Sequence, residues 1–158
     1  MEYKARKDMD PRFQWDMTHI YADKAAWEEA FENRDASWGA DKTLAILDLL
    51  DQYNVKTTFF LVGGWVDKYP DMLKEIAARG HEIGNHSDTH AHMSKLNEQQ
   101  IRNEHQGMSD KVERLTGIRP TLFRPPYGEY NDTVVRVSRE EGYECVQWNV
   151  DSLDWKNI

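Results

Sequence analysis

The sequence predicts an α/β fold in which strands and helices alternate along the chain. From about residue 41 onward, short apolar runs of strand length alternate with longer segments whose apolar residues recur at helical spacing. Polar segments that contain candidate catalytic or ligand-binding residues follow these runs directly. They lie at the strand ends where α/β folds bind ligands. The 158 residues suffice for one domain with a core but are short for a complete (β/α) barrel, which takes about 250 residues. Periodicity alone also allows an open doubly wound sheet.

The first half of the pattern contains two steps from helix to strand. A helix capped by Asp41 precedes the segment 56–62, which we predict to be a buried strand. Pro70 suits the first turn of a second helix that Gly80 ends, and 82–85 is then predicted to be a short strand. The apolar residues that indicate the first helix are Leu44, Ile46, Leu47 and Leu50.

The second half repeats this arrangement twice. Asn97 and Gln100 have the spacing of a capping box at the start of a long helix, which Gly117 ends. The segment 121–123 is predicted to be the strand that follows it. The remaining boundaries are a helix start at Asn131, a helix end at Gly142 and a strand over 144–150.

Composition and charge exclude several classes of partner. A net charge of -8 with 30% charged residues argues against nucleic acid, because binding a phosphate backbone requires concentrated positive charge. No apolar stretch approaches the roughly 20 residues of a membrane span, and the first residues lack the apolar centre of a signal peptide. We therefore expect no nucleic-acid partner, no membrane span and no export signal in the sequence, and the localisation stays open.

A pair of histidines is the clearest sign of chemistry in the sequence. His86 and His90 lie four residues apart, directly after the predicted strand 82–85. If the backbone between them makes a helical turn, the two imidazoles can bind one divalent ion, and imidazole suits zinc, cobalt and nickel. A catalytic zinc usually has three protein ligands, so the alternative is a pair of surface or hydrogen-bonded histidines. The other histidines lie in no motif and are predicted to be structural: His19, His81, His92 and His105.

Two further segments accompany the histidine pair. They are 124–128, Arg-Pro-Pro-Tyr-Gly, and 151–155, Asp-Ser-Leu-Asp-Trp. In this order the three segments resemble the motifs of the polysaccharide deacetylase family, also called the NodB-homology family or carbohydrate esterase family 4. The resemblance extends from about residue 34 to 154. It implies an incomplete, distorted (β/α) barrel and metal-dependent removal of N-acetyl groups from amino sugars of a polysaccharide such as peptidoglycan or chitin. Most members work at the cell envelope.

The resemblance also implies a metal site and a general base. The family's first motif is an Asp-Asp pair, in which the first carboxylate is the base and the second a metal ligand. Asp35 matches the base, whereas Ala36 replaces the ligand in an Asp-Ala-x-Trp-Gly variant that some members share. His86 and His90 are expected to hold the ion, which would be zinc, with cobalt or nickel as alternatives. Asp88 or a water could complete the ligand shell.

The remaining motif residues have roles that the resemblance implies. Arg124 is expected to pair with Asp35 and to keep it ionised, and the Tyr127 backbone N–H to help hold the oxyanion. Asp154 matches an acidic residue that orients a histidine acid, and Trp155 matches an aromatic residue that lines the substrate groove. The histidine acid belongs to a Leu-x-His element that has no counterpart in the 158 residues, so the proton donor is unassigned.

The N-terminal part of the sequence resembles a different family. Residues 12–31 are similar to the N-terminal segment of oligoendopeptidase F-type metallopeptidases. That family's zinc helix needs His-Glu-x-x-His, and the nearest stretch, 81–85, ends in asparagine, so a peptidase is disfavoured. We therefore expect an unrelated helical segment at 1–33 and a partial deacetylase domain at 34–158.

Alternatives to an active deacetylase remain open. One is an inactive, truncated or chimeric domain that binds glycan weakly at most. Another is a carbohydrate-binding protein that uses exposed Trp38, Trp65 and Trp155, although tryptophans more often pack in the core. An incomplete barrel would leave a sheet edge open, and such an edge can pair two copies of the chain in a homo-oligomer.

Overall fold

Four parallel strands form the sheet in the described part of the protein. The computed structural model describes residues 40–148, and within them every pair of neighbouring strands is parallel. In chain order the strands are β1 (Thr58–Leu61), β2 (Glu82–Asn85), β3 (Leu122–Phe123) and β4 (Glu144–Cys145). Each strand predicted for this part of the chain is present. β2 has the predicted bounds, and the other strands are shorter than predicted.

The order of the strands distinguishes a barrel from an open sheet. It is β1-β2-β3-β4, the same as in the sequence. A doubly wound sheet reverses its strand order at a switch point, whereas a (β/α) barrel adds each new strand on the same side of the last. The strands within 40–148 show no such reversal, so they have the arrangement of an arc of a barrel.

Helices alternate with the strands. The helices within 40–148 are α1 (Ala40–Gln52), α2 (Gly63–Lys68), α3 (Pro70–Ala78), α4 (Glu98–Thr116) and α5 (Asp132–Glu140). Short 3-10 turns lie at Met93–Lys95 and Pro126–Gly128. The sequence did not predict α2, which has six residues and begins with two glycines. Only proline disfavours a helix more than glycine does. In this part of the chain, no helix combines the length and the apolar character that crossing a bilayer requires.

The predicted caps define the ends of the two helices that flank the site. The Asn97 side chain accepts a hydrogen bond from the Gln100 N–H (2.9 Å), and the Gln100 side chain accepts one from the Asn97 N–H (3.0 Å). This reciprocal capping box starts α4, and Gly117, with a left-handed φ of 73°, follows its last residue. Asn131 caps α5 by accepting from the Val134 N–H (2.9 Å).

Two clusters of buried side chains form the core. The first consists of Leu47, Val66, Leu73, Ile76, Ile83, Met108 and Val112. The second consists of Met93, Ile101, Phe123, Val134, Val137 and Tyr143. Helix α4 contributes to both clusters, and it therefore connects the half of the core under β2 with the half under β3.

One prediction about burial is wrong. The four residues of β1 are half-buried, although the strand was predicted to be buried. Within 40–148 β1 pairs with β2 alone, so it is an edge strand of the described sheet. In α1, Leu47 is fully buried, but Leu44 and Ile46 are 37% and 50% exposed. The apolar spacing of this helix predicted its secondary structure correctly, but Asp41, predicted to cap it, lies inside the helix, which begins at Ala40.

His105 is a fully buried titratable residue in α4. The Ser138 hydroxyl donates to the Val134 carbonyl (2.7 Å), so it accepts from the His105 Nε2–H (2.8 Å). The other ring nitrogen, Nδ1, is buried without a hydrogen-bond partner in the described part of the chain. Burial lowers the pKa of His105 to about 4, which keeps the imidazole neutral at neutral pH.

This burial predicts a dependence of stability on pH. Because the pKa of His105 is lower in the folded state than its ordinary value of 6.5, the unfolded chain binds more protons between these values. The free energy of unfolding must then fall as the pH falls from about 7 to about 4. We expect His105→Gln to remove about 3 kcal/mol of this fall, measured by urea unfolding at several pH values. Equal pH slopes for the two proteins would contradict the prediction.

Candidate active site at the carboxyl ends of the strands

The parallel sheet brings two of the three motif segments to one edge. His86 follows β2 directly and Arg124 follows β3 directly, and these two strands are neighbours with Asn85 opposite Phe123. The Arg124 N–H donates to the Asn85 carbonyl (2.9 Å), which continues the pairing one residue beyond β3. Since the carboxyl ends of parallel strands lie at the same edge, the histidine pair and the arginine segment adjoin each other.

The two imidazoles of the pair lie close together. The ring centroids of His86 and His90 are 5.1 Å apart, in an edge-to-face orientation. The Nδ1 atom of His86 lies 2.6 Å from the Arg124 carbonyl oxygen. A carbonyl can only accept, so Nδ1 carries the proton and the lone pair of Nε2 is left for a metal. Burial lowers the pKa of both histidines, which favours the neutral form that binds metals.

The backbone between these histidines takes an unexpected path. It is a bend, and not the helical turn that the four-residue spacing suggested. Ser87 and His90 have left-handed φ values of 69° and 59°, which cost about 1–3 kcal/mol each for residues other than glycine. The rings therefore meet without a helical turn, because these two residues bend the chain back.

Arg124 presents a half-buried guanidinium at the same edge. The group lies over the ring of Phe60, 3.9 Å from its centroid. Its Nε is buried and has no hydrogen-bond partner within 40–148, and burial lowers the pKa of the guanidinium. A buried cation is stabilised by an ionised partner. The partner expected from the sequence, Asp35, lies outside the described residues, so their pairing stays a prediction.

Tyr127 lies in the 3-10 turn after β3. Its backbone has a left-handed φ of 58°, and its side chain is 54% exposed. The ring packs edge-to-face on His90, with the centroids 4.6 Å apart, and stacks on His92 at 4.2 Å. At Gly128 a Cβ would lie 2.8 Å from the Trp148 ring, so this turn requires glycine there. The turn thus holds Tyr127 against the histidine pair.

A divalent ion fits the donors of the pair in part. Two neutral imidazoles, one of them oriented by a carbonyl, are suitable ligands for zinc. Within 40–148, no group of three or more His, Cys, Asp or Glu side chains is placed to hold an ion. The Asp88 carboxylate, considered above as a further ligand, forms an ion pair with Lys111, with 2.6 Å between Asp88 Oδ1 and Lys111 Nζ.

The remaining candidate residues lie outside the described part of the chain. They are Asp35, Ala36, Asp154 and Trp155. Their roles stay predictions, as does the boundary between residues 33 and 34. Trp65, considered as an exposed sugar-binding residue, is half-buried and packs against the first core cluster.

Sequence reasoning missed several residues that support the site. Asn85, Glu104 and Lys111 form hydrogen bonds or ion pairs with the segment 86–90. His92, predicted to be structural, stacks on Tyr127 and is held by Glu129, with 3.0 Å between His92 Nδ1 and Glu129 Oε2. A signal existed for Asn85, since it is a polar residue at the end of a predicted strand, directly before His86. No local pattern indicated Glu104 or Lys111.

The fold and the strand-end site define a domain of the NodB type, a (β/α) barrel of which residues 40–148 form an arc. The sequence pattern described as polysaccharide deacetylase matches residues 31–146. The chain belongs to this family, as the sequence motifs predicted, and the expected fold class is confirmed. The chain is also 38% identical over 148 residues to a peptidoglycan-N-acetylglucosamine deacetylase of Bacillus cereus, covering 92% of this chain and 54% of that protein.

Solved structures with the same fold include active and inactive relatives. A CE4 family pseudoenzyme of Bacillus anthracis has a TM-score of 0.74 at 35% identity, covering 78% of this chain and 44% of its own. A mutant of that pseudoenzyme with restored enzymatic activity also has a TM-score of 0.74, at 36% identity over 77% of this chain and 45% of its own. The Bc1960 peptidoglycan N-acetylglucosamine deacetylase has a TM-score of 0.71 at 42% identity, covering 73% of this chain and 54% of its own. The chain thus spans about half the length of these relatives.

The close packing at α2 gives a prediction for the site. A Cβ added at Gly63 would lie 1.8 Å from Asp88 Oδ1 and 3.0 Å from the Asp88 Cα, so side-chain rotation alone cannot make room. At Gly64, the nearest atom would be the Asp88 carbonyl oxygen at 4.0 Å. We expect Gly63→Ala to lower the free energy of unfolding by about 1–3 kcal/mol. The matched control Gly64→Ala should leave it unchanged or raise it by up to about 1 kcal/mol. Equal effects in denaturant unfolding would refute the packing argument.

Proposed function

We propose that this protein removes N-acetyl groups from amino sugars of a polysaccharide, peptidoglycan or a chitin-like polymer, in a reaction that depends on a divalent metal. The arrangement of His86 and His90 carries the proposal. Their rings are adjacent, and the bond from His86 to the Arg124 carbonyl leaves Nε2 of His86 available to an ion. The membership of the family and the names of its relatives support the substrate class.

His86 and His90 would hold the ion, most simply zinc, with cobalt or nickel as substitutes. When bound, such an ion polarises an acetyl carbonyl and lowers the pKa of a coordinated water. The burial that lowers the pKa of both imidazoles keeps them neutral, so that they bind without first releasing a proton. Ala36 offers no third ligand in the position where most members of the family have aspartate.

Asp35 would accept the proton of the attacking water as general base. Arg124 would keep this carboxylate ionised and oriented, because a guanidinium stays charged and forms directional hydrogen bonds. The buried Nε of Arg124, without a partner within 40–148, supports this role. The half-buried guanidinium lies at the edge where His86 lies, so a carboxylate paired with it would adjoin the metal ligands.

Three further residues would complete the site. The Tyr127 backbone N–H would donate to the oxyanion of the tetrahedral intermediate, and the left-handed turn that fixes Tyr127 beside His90 supports this role. Trp155 would pack against a sugar ring, and Asp154 would orient the acid that protonates the leaving amine. No residue is assigned to that acid.

Acetate release tests the proposal. Metal-stripped protein is incubated with N-acetylglucosamine oligomers or with peptidoglycan, and zinc or cobalt is added back. We expect acetate only after the metal is added, and a rate at least about 100-fold lower for Asp35→Asn, which cannot accept the proton. The matched control is Asp71→Asn, at an exposed carboxylate on α3. No release with any metal, from protein shown to be folded, would contradict the proposal.

An inactive glycan-binding domain is the second candidate function. Two observations favour it: the alanine at position 36 and the similarity to a CE4 family pseudoenzyme. Activity in a mutant of that pseudoenzyme indicates that this fold can lose and regain function through substitution.

The substitution Ala36→Asp distinguishes an active deacetylase from a domain that is inactive because it lacks a metal ligand. If the site lacks only its third ligand, the new carboxylate should tighten zinc binding at least about tenfold, as measured by calorimetry. Acetate release should rise with it. Ala36→Asn is the control for side-chain size, since a neutral amide is a much weaker zinc ligand than a carboxylate. Unchanged zinc affinity would show that position 36 does not adjoin the histidine pair.

A further inference from the structure

The segment 86–90, which we name the histidine loop, has an unusual pattern of backbone hydrogen bonds. The amides of Ser87, Asp88, Thr89 and His90 all donate to side-chain oxygens. None of them donates to a backbone carbonyl within 40–148. Ser87 and His90 are also in the left-handed region, which ordinary residues adopt only when their surroundings hold them there. Side chains therefore hold the amides of the loop, while the Gly63 and Gly64 N–H groups donate to its Ser87 and Asp88 carbonyls (3.0 Å each).

Glu104 on α4 is the most extensively bonded of these side chains. Its Oε2 accepts from the Asp88 N–H (2.9 Å) and from the Thr89 N–H (2.8 Å). Its Oε1 accepts from the Thr89 hydroxyl (2.8 Å). One carboxylate thus receives three hydrogen bonds from two successive loop residues. Hydrogen bonds to a charged acceptor are about twice as strong as neutral ones, so Glu104 is the strongest single restraint on the loop.

Asn85 forms the second connection to α4. It is fully buried, and its Nδ2 donates to the His105 carbonyl (2.9 Å) and to Ser109 Oγ (3.0 Å). These bonds orient the amide so that Oδ1 accepts from the Ser87 N–H (2.8 Å). The Ser87 hydroxyl oxygen in turn accepts from the His90 N–H (2.9 Å). A continuous series of hydrogen bonds therefore connects α4 with the backbone of His90.

Lys111 on α4 forms the third connection. Its ammonium lies 2.6 Å from Asp88 Oδ1 and 2.6 Å from Asp67 Oδ2. The Asp88 carboxylate lies between two glycines, where added Cβ atoms would be 1.8 Å from Oδ1 at Gly63 and 3.0 Å from Oδ2 at Gly107. The two glycines let α2 and α4 approach this carboxylate closely, and the ion pair with Lys111 ties the middle of the loop to α4.

We propose that α4 positions the histidine loop, with Glu104 as the principal positioning residue and Asn85 and Lys111 as its supports. The inference deepens the proposed function and rests on it for the identity of the ligand that the loop presents. The order of the loop itself does not require a metal. Glu104 and Lys111 touch neither imidazole, and they act by fixing the backbone from which His86 and His90 project.

Amide hydrogen exchange in the metal-free protein tests the positioning. In Glu104→Ala we expect the amides of residues 87–90 to exchange at least about tenfold faster, while amides of the core strand β3 keep their rates. Glu104→Gln should restore most of the protection, because its carbonyl oxygen still accepts from both amides. Glu113→Ala, at an exposed glutamate of the same helix, is the matched control and should leave the loop unchanged.

Binding of cobalt, followed by its visible absorption, provides the second readout. Glu104→Ala should weaken cobalt binding about tenfold and Glu104→Gln less, in the same order as the exchange rates. Unchanged loop exchange in Glu104→Ala, equal acceleration of loop and core amides, or no rescue by glutamine would each overturn the inference. If Glu104→Ala does not fold, amide hydrogen exchange in Lys111→Gln tests the inference instead. An unchanged exchange rate of the Asp88 amide in that variant would overturn the inference. Loop exchange as expected, with no cobalt binding by any variant, would support the positioning and contradict the metal dependence.

Discussion

The hydrogen bond between the His86 imidazole and the Arg124 carbonyl connects the two halves of the candidate site. It is short, at 2.6 Å, and half-buried, and it exists only because β2 and β3 pair in parallel with Asn85 opposite Phe123. The same register places the Arg124 N–H on the Asn85 carbonyl. A shift of the register by one residue would turn these side chains to the other face of the sheet and separate the motifs. The chemistry of the site therefore depends on the pairing of two short strands.

Helix α4 explains how so short a pairing remains in place. Its apolar residues Ile101, Met108 and Val112 are fully buried in the two core clusters. Its polar residues Glu104 and Lys111 hold the histidine loop. Because one helix carries both sets, the packing that stabilises the domain also fixes the distance between the core and the loop. The strain at Ser87 and His90 is thereby offset by contacts that fold with the core.

The sequence predicted the elements well because their signals are local. Asn97 with Gln100 and the spacing of apolar residues indicate α4 without any tertiary information, and strand 82–85 was predicted to the residue. The shape of the histidine loop could not be predicted in this way. Two ordinary residues adopt left-handed conformations there, and the residues between them are bonded to Glu104, which is 14 residues beyond His90 in the sequence. The burial of α1 and β1 likewise depends on neighbours that periodicity does not reveal.

The orientation of the two imidazoles and the presence of a third ligand are separate properties of this framework. Among the described residues, the hydrogen bonds that orient His86 and the histidine loop come from β2, β3 and α4. The loss of an aspartate at position 36 would remove a metal ligand without removing any of these bonds. Two oriented imidazoles would remain as a weak site, since catalytic zinc usually has three protein ligands. Architecture and activity can therefore separate in this family, as the pseudoenzyme with restored activity illustrates. The histidine loop within 40–148 presents two oriented imidazoles, and the contribution of position 36 to binding an ion stays a prediction.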